Sequence, residues 1–310
     1  MRTRRNGDFT MTKPARIVDA HQHPFWHNRD DRGLVRDLDD HGIAYAWLLT
    51  WEIPPDTHDP ANDRTLSPVA ARGDGTHAGI LLRDILTARD RYPDRFVAGY
   101  CPDPTRVNAP DLLRAAASIH GVRVCGEWKY RVLLDDPRCL ELFRAAGELG
   151  LPVTVHIDVP YLPGPDVKPV YQPKWYGGTV ANLERALQAC PSTVFLGHAP
   201  GFWREISADA DTDPAPYPKV PVPAPGWLYR LFETCPNLYG DLSANSGRNA
   251  LSRDPVNGRA FLLRYADRLL FARDNYGQDL HQFLQTLDLP QDVAEKIYFR
   301  NAEKLVPAGR

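Results

Sequence analysis

No run of about 18 uninterrupted apolar residues occurs in this 310-residue chain, which excludes a helical membrane span on the sequence alone. Neither sign of charge dominates. Lys and Arg total 37 and Asp and Glu 39, so the formal net charge is -2, and no nucleic-acid or membrane partner is expected. Cysteine is scarce and scattered: Cys101, Cys125, Cys139, Cys190 and Cys235 are odd in number. None of them lies at the short spacing of a zinc knuckle or redox pair, so all five are read as reduced. Residues 1–13 are polar and Arg-rich and lack the apolar segment of a secretory signal. They are expected to be a disordered extension, with Met11 as a second candidate start, on a cytoplasmic protein whose domain occupies residues 14–310.

Proline, in contrast, is abundant, at 29 residues, about twice its average usage. It clusters in Pro54–Pro68, Pro160–Pro173 and Pro214–Pro225, each directly after a short apolar run. Long stiffened loops of this kind in a compact domain are more often functional than accidental.

Short runs rich in Val, Ile, Leu and Phe predict strands over Arg16–Ala20, Ala44–Thr50, Arg95–Tyr100, Val122–Gly126, Pro152–Ile157, Thr193–Gly197, Leu238–Leu242 and Arg268–Ala272. Helical patterns separate them, among them Ala78–Tyr92, Ala109–Ile119, Cys139–Leu149, Gly178–Ala189, Trp227–Cys235 and Asn257–Tyr265. In Cys139–Leu149, Leu140, Phe143, Ala146 and Leu149 are expected to form the buried stripe. Strands apolar on both faces and alternating with helices call for a parallel sheet covered by helices. Eight such repeats, with no glycine-rich turn after the first strand, fit a distorted (β/α)8 TIM barrel better than a dinucleotide-binding sheet. The proline-rich loops then lie on its C-terminal face.

In such a barrel the chemistry gathers at the carboxyl ends of the strands. The first strand ends Asp19-Ala20-His21-Gln22-His23, and the fourth Gly126-Glu127-Trp128-Lys129. The fifth ends at His156, the sixth at His198, and the eighth at Arg273-Asp274. Each alone is ordinary, because a single strand-end histidine or carboxylate more often caps a helix or satisfies a core group. Together they are hard to place by chance. His21 and His23, two apart, face one way, and the remaining groups converge on them as a nitrogen and oxygen site for a divalent ion. Zinc is the expected ion, with manganese and iron as alternatives, at one or two ions per chain. Such an ion acidifies water, and Asp274 takes the proton. Glu127 supplies a second carboxylate able to bridge two ions.

The segments Ile17–His23, Leu151–His156, Val194–His198, Arg268–Asp274 and Asn301–Leu305 resemble the amidohydrolase superfamily, specifically its amidohydrolase-related branch. The resemblance spans residues 16 to 306. It implies a distorted barrel with metal-ligand roles for His21, His23, His156 and Asp274, while His198 binds a second metal or orients substrate. Glu127 resembles the bridging glutamate of TatD-type metallonucleases. Arg273 departs from the small or hydroxyl residue usual before the aspartate, and no lysine stands at the Glu127 position for carbamylation.

Further expectations attach to neighbouring residues. Lys129, Trp203, Arg204 and Arg273 are candidate substrate contacts, with surface ion pairing or packing as the plainer alternative. Asp241 and Ser243 close the seventh strand, where Asp241 either orients a histidine or caps a helix. Tyr161, Tyr171, Trp175 and Tyr176 serve equally well as a pocket lid or as the interface of a homo-oligomer. The leading function is a metal-dependent hydrolase acting on a carbonyl of a small polar lactone, ester or amide, with Asp274 and His198 catalytic. A metal-dependent non-oxidative decarboxylase of the same branch is the alternative, followed by a TatD-like phosphodiesterase, which the net charge of -2 does not support.

Overall fold

The computed structural model describes residues 14–307; the predicted extension over 1–13 lies outside the described residues. Eight parallel strands build the core: β1 (Val18–Gln22), β2 (Tyr45–Leu48), β3 (Phe96–Ala98), β4 (Cys125–Trp128), β5 (Val153–His156), β6 (Phe195–His198), β7 (Leu238–Asp241) and β8 (Leu269–Leu270). Each overlaps one of the predicted strands. Sequential strands are hydrogen-bonded neighbours within two sheets, β1–β3 and β4–β8. Both seams between the sheets are bridged. Gly99 pairs with Val124 in parallel, and on the other side Ala20 N–H donates to Phe271 O at 3.1 Å. The architecture is a TIM barrel.

Side-chain alternation divides the apolar residues into two layers. Val18, Ala20, Tyr45, Trp47, Leu49, Val124, Leu196, Tyr239, Leu270 and Ala272 form one cluster, which fills the barrel together with Ala302 and Val306. Their strand neighbours, such as Ala46, Leu48, Val153, Val155 and Phe195, pack outward against the helices in the larger cluster.

The covering helices include α1 (Asp31–Asp40), α2 (Leu82–Arg91), α3 (Ala109–His120), α4 (Pro137–Glu148), α5 (Val180–Ala189), α6 (Trp227–Thr234), α7 (Ala244–Ser252), α8 (Pro255–Arg264) and α9 (Asp279–Thr286). In α4, Asp136 caps the first turn by accepting from Arg138 N–H, and Pro137 occupies the position where no hydrogen bond is lost. The buried face of α4 is Cys139, Leu142, Phe143, Ala145 and Ala146, whereas Leu149 is exposed. The predicted stripe is corrected here. A strict three-residue period drifts around a helix of 3.6 residues per turn and carries Leu149 off the packed side.

The first proline-rich segment forms three short 3-10 turns, and the second carries a hairpin pairing Tyr161–Pro163 with Pro169–Tyr171. An ion pair, Lys174 to Asp59 at 3.2 Å, ties these two loops together. All five cysteines are free and buried. Among the described residues, no helix is long and apolar enough to cross a membrane.

Candidate metal centre

Plain alternation suffices on three strands. Leu196 on β6 points inward, and so does His198 two residues on. Tyr239 and Asp241 on β7 follow the same rule, as do Leu270, Ala272 and then Asp274 beyond β8. On β1 alternation alone would fail, because Val18 and Ala20 face inward and His21 has the opposite parity. The register of β1 against β2 shifts between Asp19 and Gln22, and His21 turns inward there. A like shift between Cys125 and Trp128 on β4 brings in Glu127, whose parity is opposite to that of Val124. Irregularities of this kind re-aim side chains at barrel rims.

Five residues meet at the resulting centre. His21 Nε2 lies 3.3 Å from His23 Nε2 and 3.6 Å from Asp274 Oδ1, and His23 Nε2 is 3.4 Å from the same oxygen. His198 Nε2 stands 3.4 Å from Asp274 Oδ2 and 3.7 Å from Glu127 Oε1. His21 falls in two candidate ligand groups, one with Glu127 and His198 and the other with His23 and Asp274.

The far side of each imidazole is anchored. His21 Nδ1 is 2.7 Å from the Asp241 carboxylate, His23 Nδ1–H donates to Leu49 O at 2.7 Å, and Ser243 Oγ hydrogen-bonds His198 Nδ1 at 2.8 Å. Partners at Nδ1 orient the rings so that all three Nε2 atoms face the Glu127 and Asp274 carboxylates, as in sites where histidines bind a metal. Glu127 Oε2 is buried and has no hydrogen-bond partner among the described residues. This donor set fits a borderline divalent cation.

The carboxylates are poised as anions. Burial alone would raise Glu127, yet the charges of Lys129 and His156 hold it well below the usual carboxylate range. Asp274 is likewise held low against burial, by His21, His198 and His23. Burial disfavours a charged His23, but the facing carboxylates of Asp274 and Glu127 outweigh it and push the imidazole up to about 9. A proton and a metal ion thus compete for the same nitrogen. Asp274 also adopts φ +48°, a left-handed conformation rare outside glycine, and its N–H donates to His21 O at 2.9 Å.

The remaining predicted residues are placed differently. His156 sits beside the five rather than among them: Nδ1 contacts Glu127 Oε1 at 2.7 Å and Nε2 contacts Asp158 Oδ2 at 2.8 Å. Lys129 reaches the rim. Its Nζ lies 4.1 Å from the Trp51 ring centroid and 5.5 Å from that of Tyr176, with no hydrogen bond or ion pair to any described residue. Burial opposes its charge, but Glu127, Tyr176, Asp274 and Asp158 keep the ammonium's pKa raised.

The expected substrate contacts Arg273 and Trp203 are corrected. The Arg273 guanidinium is locked between Asp19 at 2.6 Å and Asp37 at 2.7 Å, because a buried cation must find carboxylates. Trp203 is fully buried against Phe202 and Phe261, and its Nε1–H donates to Asp241 O at 2.8 Å. Arg204 donates to the carbonyls of Ala210 and Asp213 and lies away from the centre, in the walls of two neighbouring cavities, one of them of about 250 Å3. That cavity is also lined by Asp158 and Tyr217, which sequence reasoning missed. Asp158 was findable, lying two residues after His156 with the same parity. Tyr217 carried no such signal, since a proline-rich loop delivers it.

Residues 18–308 match a family described as amidohydrolase. The chain belongs to this amidohydrolase family. No curated protein matches this amidohydrolase. Among solved structures it is similar to an uncharacterized TIM-barrel protein from Bordetella bronchiseptica, with 19% identity, TM-score 0.60 and coverage of 96% of this chain and 100% of that one. A Pseudomonas putida protein assigned as a 2-pyrone-4,6-dicarboxylic acid hydrolase gives 14%, 0.56, 94% and 97% for the same measures. A 5-carboxyvanillate decarboxylase from Novosphingobium aromaticivorans, complexed with manganese, gives 18%, 0.54, 90% and 81%. At these identities the likeness shows the fold, and the relatives span both hydrolysis and decarboxylation.

Proposed function

We propose that this amidohydrolase is a metal-dependent hydrolase with one divalent ion held by His21, His23, His198, Glu127 and Asp274. The supporting observation is the convergence of three Nε2 atoms, each on a ring fixed at Nδ1, upon two ionised carboxylates. His21 belongs to both candidate ligand groups, so the five donors form one connected cluster, which we read as the site of a single ion. Zinc, manganese and iron all suit these donors. When bound, the ion polarises a substrate carbonyl and acidifies water.

The residues divide the remaining work. Asp274 has a side chain 15% exposed, against 0–2% for His21, His23, His198 and Glu127, so it is the ligand that faces incoming substrate. Its carboxylate accepts the proton of the attacking water and returns it to the leaving group. Lys129, held over Trp51 and Tyr176 without an anionic partner, draws a carboxylate or other negative group of the substrate to the rim. Small lactones, esters and amides carrying such a group are the substrate class.

The test combines metal analysis with substrate screening. Protein purified without chelator or nickel should hold about one divalent ion per chain. His21→Ala and Asp274→Asn should lose most of it, and lactone, ester or amide panels should show hydrolysis that depends on added metal. Absence of metal, with none recovered on adding zinc or manganese, would sink the proposal. Carbon dioxide release from carboxylated aromatics with no hydrolysis of any panel member would replace it by the decarboxylase reading.

A further inference from the structure

Apart from the metal centre, a cavity of about 290 Å3 lies between the hairpin of the second proline-rich loop and the start of α6. Leu162 and Val167 wall it on the hairpin side, and Val180 and Trp227 on the helix side. Glu205 also lines it, from the short 3-10 turn Arg204–Ile206 that follows β6. Glu205 is only 8% exposed, and its carboxyl makes no hydrogen bond or ion pair with any described residue. Its neighbour Arg204 makes no ion pair with it: Nη2 donates to the carbonyls of Ala210 and Asp213, while Nη1 is buried without a hydrogen-bond partner among the described residues. A second acid, Asp211, lines the same space.

A buried carboxyl without a partner is costly, and proteins usually satisfy one with a bonded donor. Burial pushes the Glu205 carboxyl up to about 7, against the pull of Arg204 and with the added repulsion of Asp211. Most of the lining is apolar, with Leu162, Val167, Val180 and Trp227 among it, which suits a hydrocarbon part better than a divalent cation that takes six or more oxygens. An anion is disfavoured by the two acids.

We propose that this cavity binds a small apolar molecule bearing a protonated amine, its ammonium paired with Glu205 and its hydrocarbon part under the hairpin. The volume suits a single ring with a short arm. None of the five residues of the metal centre lines the cavity, and the inference does not depend on the reaction proposed above. Val159, Leu162 and Arg204 are shared with the cavity that reaches Asp158, so an occupant here adjoins that cavity.

Calorimetric titration of the full chain near about pH 8, where the amine is charged and the carboxyl ionised, tests this with three matched probes. These are 2-phenylethylamine, 2-phenylethanol and 3-phenylpropionate. The amine should bind at one site and more tightly than the other two. Glu205→Gln should weaken it by about tenfold or more, as expected for losing a charge-assisted hydrogen bond. Trp227→Ala should weaken all probes through loss of a wall. Glu205→Gln removes an unpaired buried charge, so its melting temperature at this pH should equal or exceed that of the parent, which separates lost binding from lost fold. The proposal is overturned by no binding of the amine, by equal or tighter binding of the alcohol or carboxylate, or by amine affinity indifferent to Glu205→Gln.

Discussion

Single residues set the chemistry of the centre through partners that never touch substrate. Ser243 Oγ holds the far nitrogen of His198 at 2.8 Å and lies 3.5 Å from that of His21, and the shorter contact aims His198 Nε2 at the other ligands. Ser243→Ala is expected to lower metal affinity by about tenfold or more while leaving the fold intact, measured by competition with a chromogenic chelator. A different residue governs stability against pH. Burial pushes the Glu52 carboxyl up from 4.5 to about 7, with Arg106 opposing and Asp103 assisting. Between those values the folded chain retains a proton that the unfolded chain has released. The stabilisation is therefore complete below the lower value and is lost as pH rises through the upper one. Glu52→Gln should match the parent's melting temperature near about pH 5 and exceed it near about pH 8, because the amide never ionises. Equal melting temperatures at both pH values would refute this.

At the scale of elements, the barrel depends on short strands held by their surroundings. β8 is only Leu269–Leu270, shorter than the predicted Arg268–Ala272, yet it must present Asp274. Asn301, from the C-terminal segment, secures it. Its Nδ2–H groups donate to Ala266 O at 2.7 Å and Leu269 O at 2.8 Å, immediately before and within the strand. Asn301→Ala should cost about 2 kcal/mol through two lost hydrogen bonds, read as a lower denaturant midpoint with unchanged slope. α1 shows why some elements escaped the sequence reading. Asp31–Asp40 is mostly charged, and of its apolar residues only Leu34 and Leu38 are fully buried. Two of its acids, Asp31 and Asp37, are buried as well, because Arg91 and Arg273 pair with them.

At the scale of the whole molecule, the Arg273 network joins the end of β8 to β1 and α1. Arg273 meets Asp19, 254 residues away in sequence, and Asp37 on the first helix. It closes the ring at the seam where only a few backbone hydrogen bonds cross. Arg273→Met should destabilise the protein by about 3–5 kcal/mol, since it leaves two buried carboxylates short of a cation. A thermal melt should show a loss of several degrees. A substrate-binding role for Arg273 would instead raise KM and leave the melt unchanged.

The strand ends were legible because barrel topology needs only local patterns: apolar runs, helical spacing, and polar residues where each run stops. That reasoning brought His21, His23, Glu127, His198 and Asp274 to one end of one barrel, and flagged Asp241 and Ser243 behind them. Tertiary structure alone decided what each polar group pairs with. Alternation states which face a side chain takes but not what stands opposite it, and on β1 and β4 register shifts override alternation itself. His156 therefore lies between Glu127 and Asp158, and Arg273 turns to Asp19 and Asp37. Tyr217 and Glu205 enter cavities from loops whose paths no periodicity encodes. The division is physical: backbone pattern is set by neighbours in sequence, while the partner of a buried charge is chosen among residues that only folding brings near.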